Sequence, residues 1–139
     1  MQIAIINGPN LNLLGKREPE IYGTQTFEDY LEIIKAKFPA IKFQYFQSNV
    51  EGELINEIQS VGFSADGIII NPGGYTHTSV ALGDAIAAVK TPVIEVHISN
   101  IFGREDFRKI SHVSGKSVGV ISGLGLKGYA LAVEYFLDK

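Results

Sequence analysis

Short runs rich in β-branched residues alternate with segments of helical periodicity along the whole chain. That alternation constrains the fold more than any other feature. Ile3-Ala4-Ile5-Ile6 and Gly67-Ile68-Ile69-Ile70 are continuous apolar runs, the pattern of strands buried on both faces. Pro92 leads into Val93-Ile94-Glu95-Val96, and Val118-Gly119-Val120-Ile121 reads as a further strand. Lys42-Phe43-Gln44-Tyr45 alternates instead, which predicts an edge strand.

Between these runs the apolar positions follow helical spacing. Tyr30, Leu31, Ile34 and Phe38 continue from Phe27, with Thr26 and Asp29 as a capping-box-like start and Pro39 just after the end. Ser48-Asn49-Val50-Glu51 predicts a second capping box, opening a helix with Val50, Leu54, Ile58 and Val61 on one face. A helix of small residues is predicted from about Thr78 to Val89, and a short helical turn near Glu105–Ile110. The last helix carries Leu126, Ala130, Val133 and Leu137 at helical intervals. Five strands alternating with helices predict an α/β, doubly wound, five-stranded parallel sheet. The flavodoxin-like order 2-1-3-4-5 fits an edge-like second strand. With 139 residues, the chain suits a single domain, 1–139.

In such a fold ligands bind at the carboxyl ends of the strands, near the switch between strands 1 and 3. The loops to inspect are Asn7-Gly8-Pro9-Asn10, Asn71-Pro72-Gly73-Gly74-Tyr75-Thr76-His77 and His97-Ile98-Ser99-Asn100. All three are polar, and they hold two of the three histidines.

Composition narrows the chemistry. No apolar run reaches the ~18 residues of a membrane span, and Met1 leads directly into a strand, so the expectation is a soluble, cytoplasmic protein. The absence of cysteine excludes disulfides, thiolate catalysis and zinc–sulfur sites. A net charge of −3 supplies no field for nucleic acid or acidic lipid. An anionic ligand would need local positive groups, and the three arginines, Arg17, Arg104 and Arg108, all fall in or beside polar loops. Taken singly, each reads as a solvated surface residue.

Two motifs mislead. Gly123-Leu124-Gly125-Leu126-Lys127-Gly128 matches G-x-G-x-x-G, but no acidic residue ~20 positions later is available for a ribose, so these glycines predict a tight strand-to-helix turn. Gly15-Lys16 lacks the rest of a phosphate-binding loop, with Asn10 and Arg17 at the positions that should be Gly and Ser or Thr.

Glu95 and His97 stand two apart on one strand, so their side chains leave the same face. A carboxylate beside an imidazole fixes its tautomer and favours the protonated ring, the form a general acid needs. Tyr22 lies in a long charged loop bracketed by Gly15 and Gly23, which reads as a lid at about 15–24. For a phenol to act as base near neutral pH, about 4 kcal/mol of preference for the phenolate is required. Guanidinium groups in a water-poor site can provide it, and Arg17 lies in the same loop.

Four segments together resemble the type II 3-dehydroquinate dehydratases. They are Asn7-Gly8-Pro9-Asn10-Leu11; Gly15-x-Arg17-Glu18-Pro19-x-x-Tyr22-Gly23; Asn71-Pro72-Gly73-Gly74-x-Thr76-His77-Thr78-Ser79; and Glu95-Val96-His97-Ile98-Ser99-Asn100. The resemblance covers essentially the full chain. It implies anti elimination of water from 3-dehydroquinate through an enolate, with no metal or cofactor. By resemblance Tyr22 is the base that removes the C2 proton, Arg17 stabilises its phenolate, and His97 protonates the departing C1 hydroxyl. Asn10 matches the asparagine that positions a water against the enolate oxygen. Asn71 and the amides of Ile98 and Ser99 match the holders of the substrate carboxylate, and His77 and Arg108 the contacts to its ring hydroxyls. Asp84, the one charge in a helix of small residues, matches an aspartate that reaches a neighbouring subunit's site, which implies a homo-oligomer, commonly a dodecamer of four trimers. The segment Asn100–Arg104 departs from the family pattern at Phe102 and Gly103, and leaves Arg104 open between stabilising the phenolate and supporting the lid. A flavin-binding module of the same fold is the rival from another class, but the first loop lacks its Ser/Thr-rich phosphate cradle.

Overall fold

The apolar runs become the interior of one sheet. A computed structural model describes residues 1–138, with the main chain alone for Ile21 and Tyr22. Strands β1 (Gln2–Asn7), β2 (Lys42–Gln47), β3 (Gly67–Asn71), β4 (Val93–His97) and β5 (Gly119–Ser122) are all parallel, in the order 2-1-3-4-5. The order is the predicted one, and β2 lies at an edge because it pairs with β1 alone. Helices α1 (Pro19–Tyr22), α2 (Phe27–Lys37), α3 (Glu51–Val61) and α4 (Val80–Ala88) lie in the first three crossovers, short 3-10 turns connect β4 to β5, and α5 (Lys127–Leu137) follows β5.

Strand alternation feeds two cores. Ile3, Ile5, Ile69, Ile94 and Val96 face α2 and α5, where Phe27, Leu31, Ile34, Tyr129, Val133 and Phe136 are buried. Ala4, Ile6, Ile68, Ile70 and Val93 face α3 and α4, against Leu54, Ile58, Leu82 and Ile86. Each fully buried Ile or Leu contributes about 1.5–3 kcal/mol.

The helix starts divide into one success and one correction. Thr26 Oγ1 accepts the Asp29 N–H at 3.2 Å, as the cap predicts. The second box does not form around Glu51. Ser48 Oγ instead accepts the Val50 N–H at 2.9 Å and donates to Glu53, while Val50 itself caps α3 and is exposed. The turn after β2 runs two residues longer than the pattern assumes, so the cap falls at Val50, not Ser48, and Val50 stands before the helix. Leu137 is likewise exposed, and the buried stripe of α5 is Tyr129, Val133 and Phe136. The predicted glycine turn is present, with φ of 92° at Gly123 and 64° at Gly125, a region that glycine enters without steric cost.

The loops after β1 and β3 meet at the top of the sheet. Gly8 N–H donates to Asn71 O at 2.7 Å, and a Cβ on Gly8 would lie 2.6 Å from Pro72 O. Gly8→Ala should therefore part these loops and destabilise the fold by about 1–3 kcal/mol. Urea unfolding checks this, and an unchanged midpoint would refute it.

Candidate active site

The three loops flagged by topology enclose a cleft of about 140 Å³ over the carboxyl ends of β1, β3 and β4. Its wall includes Asn10, Arg17, Asn71, His77, His97, Ser99, Arg104 and Arg108. All three arginines of the chain thus converge on one cavity, rather than standing apart in solvent. No Asp or Glu is among the described lining residues. A chain of net charge −3 has gathered its three guanidinium groups at a cleft suited to a small anion.

His97 ends β4, buried except for the face that meets the cleft. Its Nε2 bonds the Glu95 carboxylate, which is fully buried. Glu95 also accepts from Thr76 Oγ1 and from Ser114 Oγ. Burial alone would push its carboxyl up, but the bonds from His97, Ser114 and Thr76 and the imidazole's charge outweigh burial and hold it below the usual range. With Nε2 turned to Glu95, Nδ1 is the ring nitrogen left for the cleft.

His77 lies over His97, ring centroids 6.4 Å apart and planes 20° from parallel. Its Nδ1 donates to Ile110 O at 2.8 Å, because a carbonyl can only accept. Burial lowers its pKa against that bond, and neighbouring His97 and Arg108 add to the lowering. A neutral His77 presents Nε2 as an acceptor, suited to a hydroxyl.

Asn10 holds a left-handed conformation, φ 70°, that asparagine tolerates, and its N–H donates to Asn49 Oδ1 at 2.9 Å. Asn71 is nearly buried: Gly73 N–H donates to its Oδ1 at 3.0 Å and its Nδ2 donates to Tyr129 at 3.0 Å. The Tyr129 hydroxyl in turn donates to Asn7 Oδ1 at 2.8 Å, which fixes the amide orientation of Asn71 from below. The carbonyls of His97 and Ile98 accept from Gly123 and Gly125 at 3.1 and 3.0 Å, so the turn before α5 anchors the strand end that carries Ile98 and Ser99. The Ile98 side chain points into the core. Arg104 Nη1 donates to Ser99 Oγ at 3.1 Å and Arg108 Nε pairs with Glu105 at 3.1 Å. Arg17 pairs with Glu18 at 3.2 Å. The Tyr22 phenol lies outside the described residues. Asp84 is exposed on α4, away from the cleft of its own chain.

Residue reasoning had not placed Thr76, Ser111, Ser114 or Tyr129 in this setting. Thr76 stood in a flagged loop; the others carried no local signal, since their role depends on contacts 19 to 122 positions away.

A family model described as dehydroquinase class II matches residues 1–137. The chain belongs to that family. A 3-dehydroquinate dehydratase of Fusobacterium nucleatum is 54% identical, aligned over 99% of this chain and 97% of the relative. One from Prochlorococcus marinus is 51% identical, over 99% and 96%. The crystal structure of a type II dehydroquinase from Butyrivibrio crossotus superposes with a TM-score of 0.95 at 47% identity, covering 99% of this chain and 97% of that one. The family's fold is therefore the flavodoxin-like α/β sheet described above. Among the described residues no helix is long and apolar enough to cross a membrane, and no three His, Asp or Glu side chains gather as a metal site.

Proposed function

We propose that this chain is a hydro-lyase that eliminates water from 3-dehydroquinate to give 3-dehydroshikimate, a step of the shikimate pathway. The observation that carries the reading is the meeting of the buried Glu95–His97 pair with all three arginines at one small cleft. Such a cleft suits a carboxylate-bearing substrate and offers a proton donor beside it. Family membership and named relatives above half identity support the same activity.

In this reading the Tyr22 phenolate takes the C2 proton and an enolate forms. Arg17, in the cleft wall, supplies the charge that favours the phenolate. Tyr30, Tyr45 and Tyr129 are poor alternatives as base, since burial raises each phenol, Tyr45 to about 12. His97 delivers its proton to the C1 hydroxyl, which leaves as water. Transfer of one proton from the Tyr22 phenol back to the imidazole then restores both groups. Asn10 orients a water at the enolate oxygen. The carboxylate is held by the second hydrogen of Asn71 Nδ2 and the amides of Ile98 and Ser99, and the ring hydroxyls by His77 and Arg108. Segment 15–24 closes as a lid, and no metal or cofactor takes part. Asp84, exposed on its own chain, completes a neighbour's site within a homododecamer of four trimers in the cytoplasm.

An ultraviolet assay with 3-dehydroquinate in chelator should show enone absorbance rising. A flat trace from folded protein would refute the reading.

A further inference from the structure

The proton direction of the acid pair is dictated from behind. Glu95 is a wholly buried anion, a costly state unless its oxygens are supplied with donors. Its Oε2 takes His97 Nε2 and Thr76 Oγ1, and its Oε1 takes Ser114 Oγ. The Thr76 proton is thereby committed to Glu95. In the 2.9 Å contact between Thr76 Oγ1 and Ser111 Oγ, Ser111 must then be the donor. Ser111 Oγ accepts the N–H groups of Val113 and Ser114 at 3.0 and 2.9 Å. Those two backbone donors cannot reverse, so the chain of hydroxyls runs one way, from residues 113 and 114 through Ser111 and Thr76 into Glu95. A proton on Glu95 would face donors on every side. The consistent arrangement is an ionised Glu95 with Nε2–H of His97 pointing at it and Nδ1 directed to the cleft.

We infer that Thr76, Ser111 and Ser114 are positioning residues of the acid, a hydroxyl relay that keeps the Nε2–H of His97 on Glu95 and Nδ1 toward the cleft, where Nδ1 carries the proton to be given up once the ring is the imidazolium. The relay is assembled late in the chain. The His112 N–H donates to Thr76 O at 2.8 Å, and this folds residues 111–114 back against the loop after β3. Gly83 makes room for it, since a Cβ there would lie 2.2 Å from His112 O.

The inference rests on His97 being the acid proposed above, and the test separates the two. Thr76→Val keeps the side-chain shape and removes the hydroxyl; Ser114→Ala removes the other donor; Thr76→Ser restores the first. Thr76→Val and Ser114→Ala should each lower kcat about tenfold, or about 1.4 kcal/mol, with KM within about twofold, and Thr76→Ser should recover most of the loss. Independently of substrate, nitrogen-15 imidazole shifts of His97 at fixed pH should report Nε2–H in the parent and a mixed tautomer in Thr76→Val and Ser114→Ala. A purely structural role would lower the melting temperature and leave kcat and the nitrogen shifts alone, which would overturn the inference. If Thr76→Val fails to fold, Ser114→Ala decides by the same two readouts. A parent inactive on 3-dehydroquinate, with shifts that still respond, would remove the proposed activity and leave the relay standing.

Discussion

His97→Ala should slow turnover by about 10²–10⁴-fold, the span a positioned general acid contributes, with KM changed little. The expectation follows from the position of the ring: it is buried against Glu95 on one side and open to the cleft on the other. A hydroxyl leaving from that cleft without the ring would depart as hydroxide. Tyr22→Phe is the matching loss on the other side of the reaction and should abolish proton abstraction while the substrate still binds. The two effects should not add, because each variant blocks the same elimination. Steady-state kinetics with a binding measurement on each variant decides the matter. A His97→Ala enzyme within tenfold of the parent would show that the proton comes from elsewhere.

Much of this arrangement was legible in the sequence, for reasons that differ by element. Ile3–Ile6 and Ile68–Ile70 announce buried parallel strands because nothing polar interrupts them, and strand order then places three loops together. Glu95 and His97 were readable as a pair because alternation along a strand is a local rule. Tertiary packing decided what local rules could not. Val50 obeys the helical period yet is exposed, because the turn before α3 takes two extra residues and leaves Val50 as the cap. Leu137 obeys it too, four residues after the buried Val133, but it is the last residue of α5 and its side chain is exposed. The three arginines looked separable until folding brought Arg17, Arg104 and Arg108 to the lining of one cleft. Besides His97 on its own strand, the donors to Glu95 come from two segments that are distant in sequence and are joined by the His112 N–H bond to Thr76 O and by the Thr76–Ser111 and His77–Ile110 contacts.

Glu95→Gln carries the second large effect, and it separates charge from shape. The amide keeps the volume but can accept at one atom only. With its oxygen toward His97 and Thr76, its NH₂ meets the Ser114 hydroxyl, which has to turn and accept. The imidazolium loses its counter-ion, and turnover should fall by about 10²–10⁴-fold. Stability should fall by about 1–3 kcal/mol near neutral pH, since hydrogen bonds to a charged acceptor are lost. The pH dependence has a fixed sign. Glu95 is held below its ordinary value of 4.5 in the fold, so its carboxylate stabilises the protein above that value and the contribution disappears as pH falls through the lowered one. The neutral amide of the Glu95→Gln variant stands in for the protonated acid and has no such dependence. The gap between parent and variant in urea unfolding should therefore be full near pH 7 and narrow steadily below about pH 4.5. A gap that stays constant into acid would mean that Glu95 is not held as the anion, and the acid pair would need a different account.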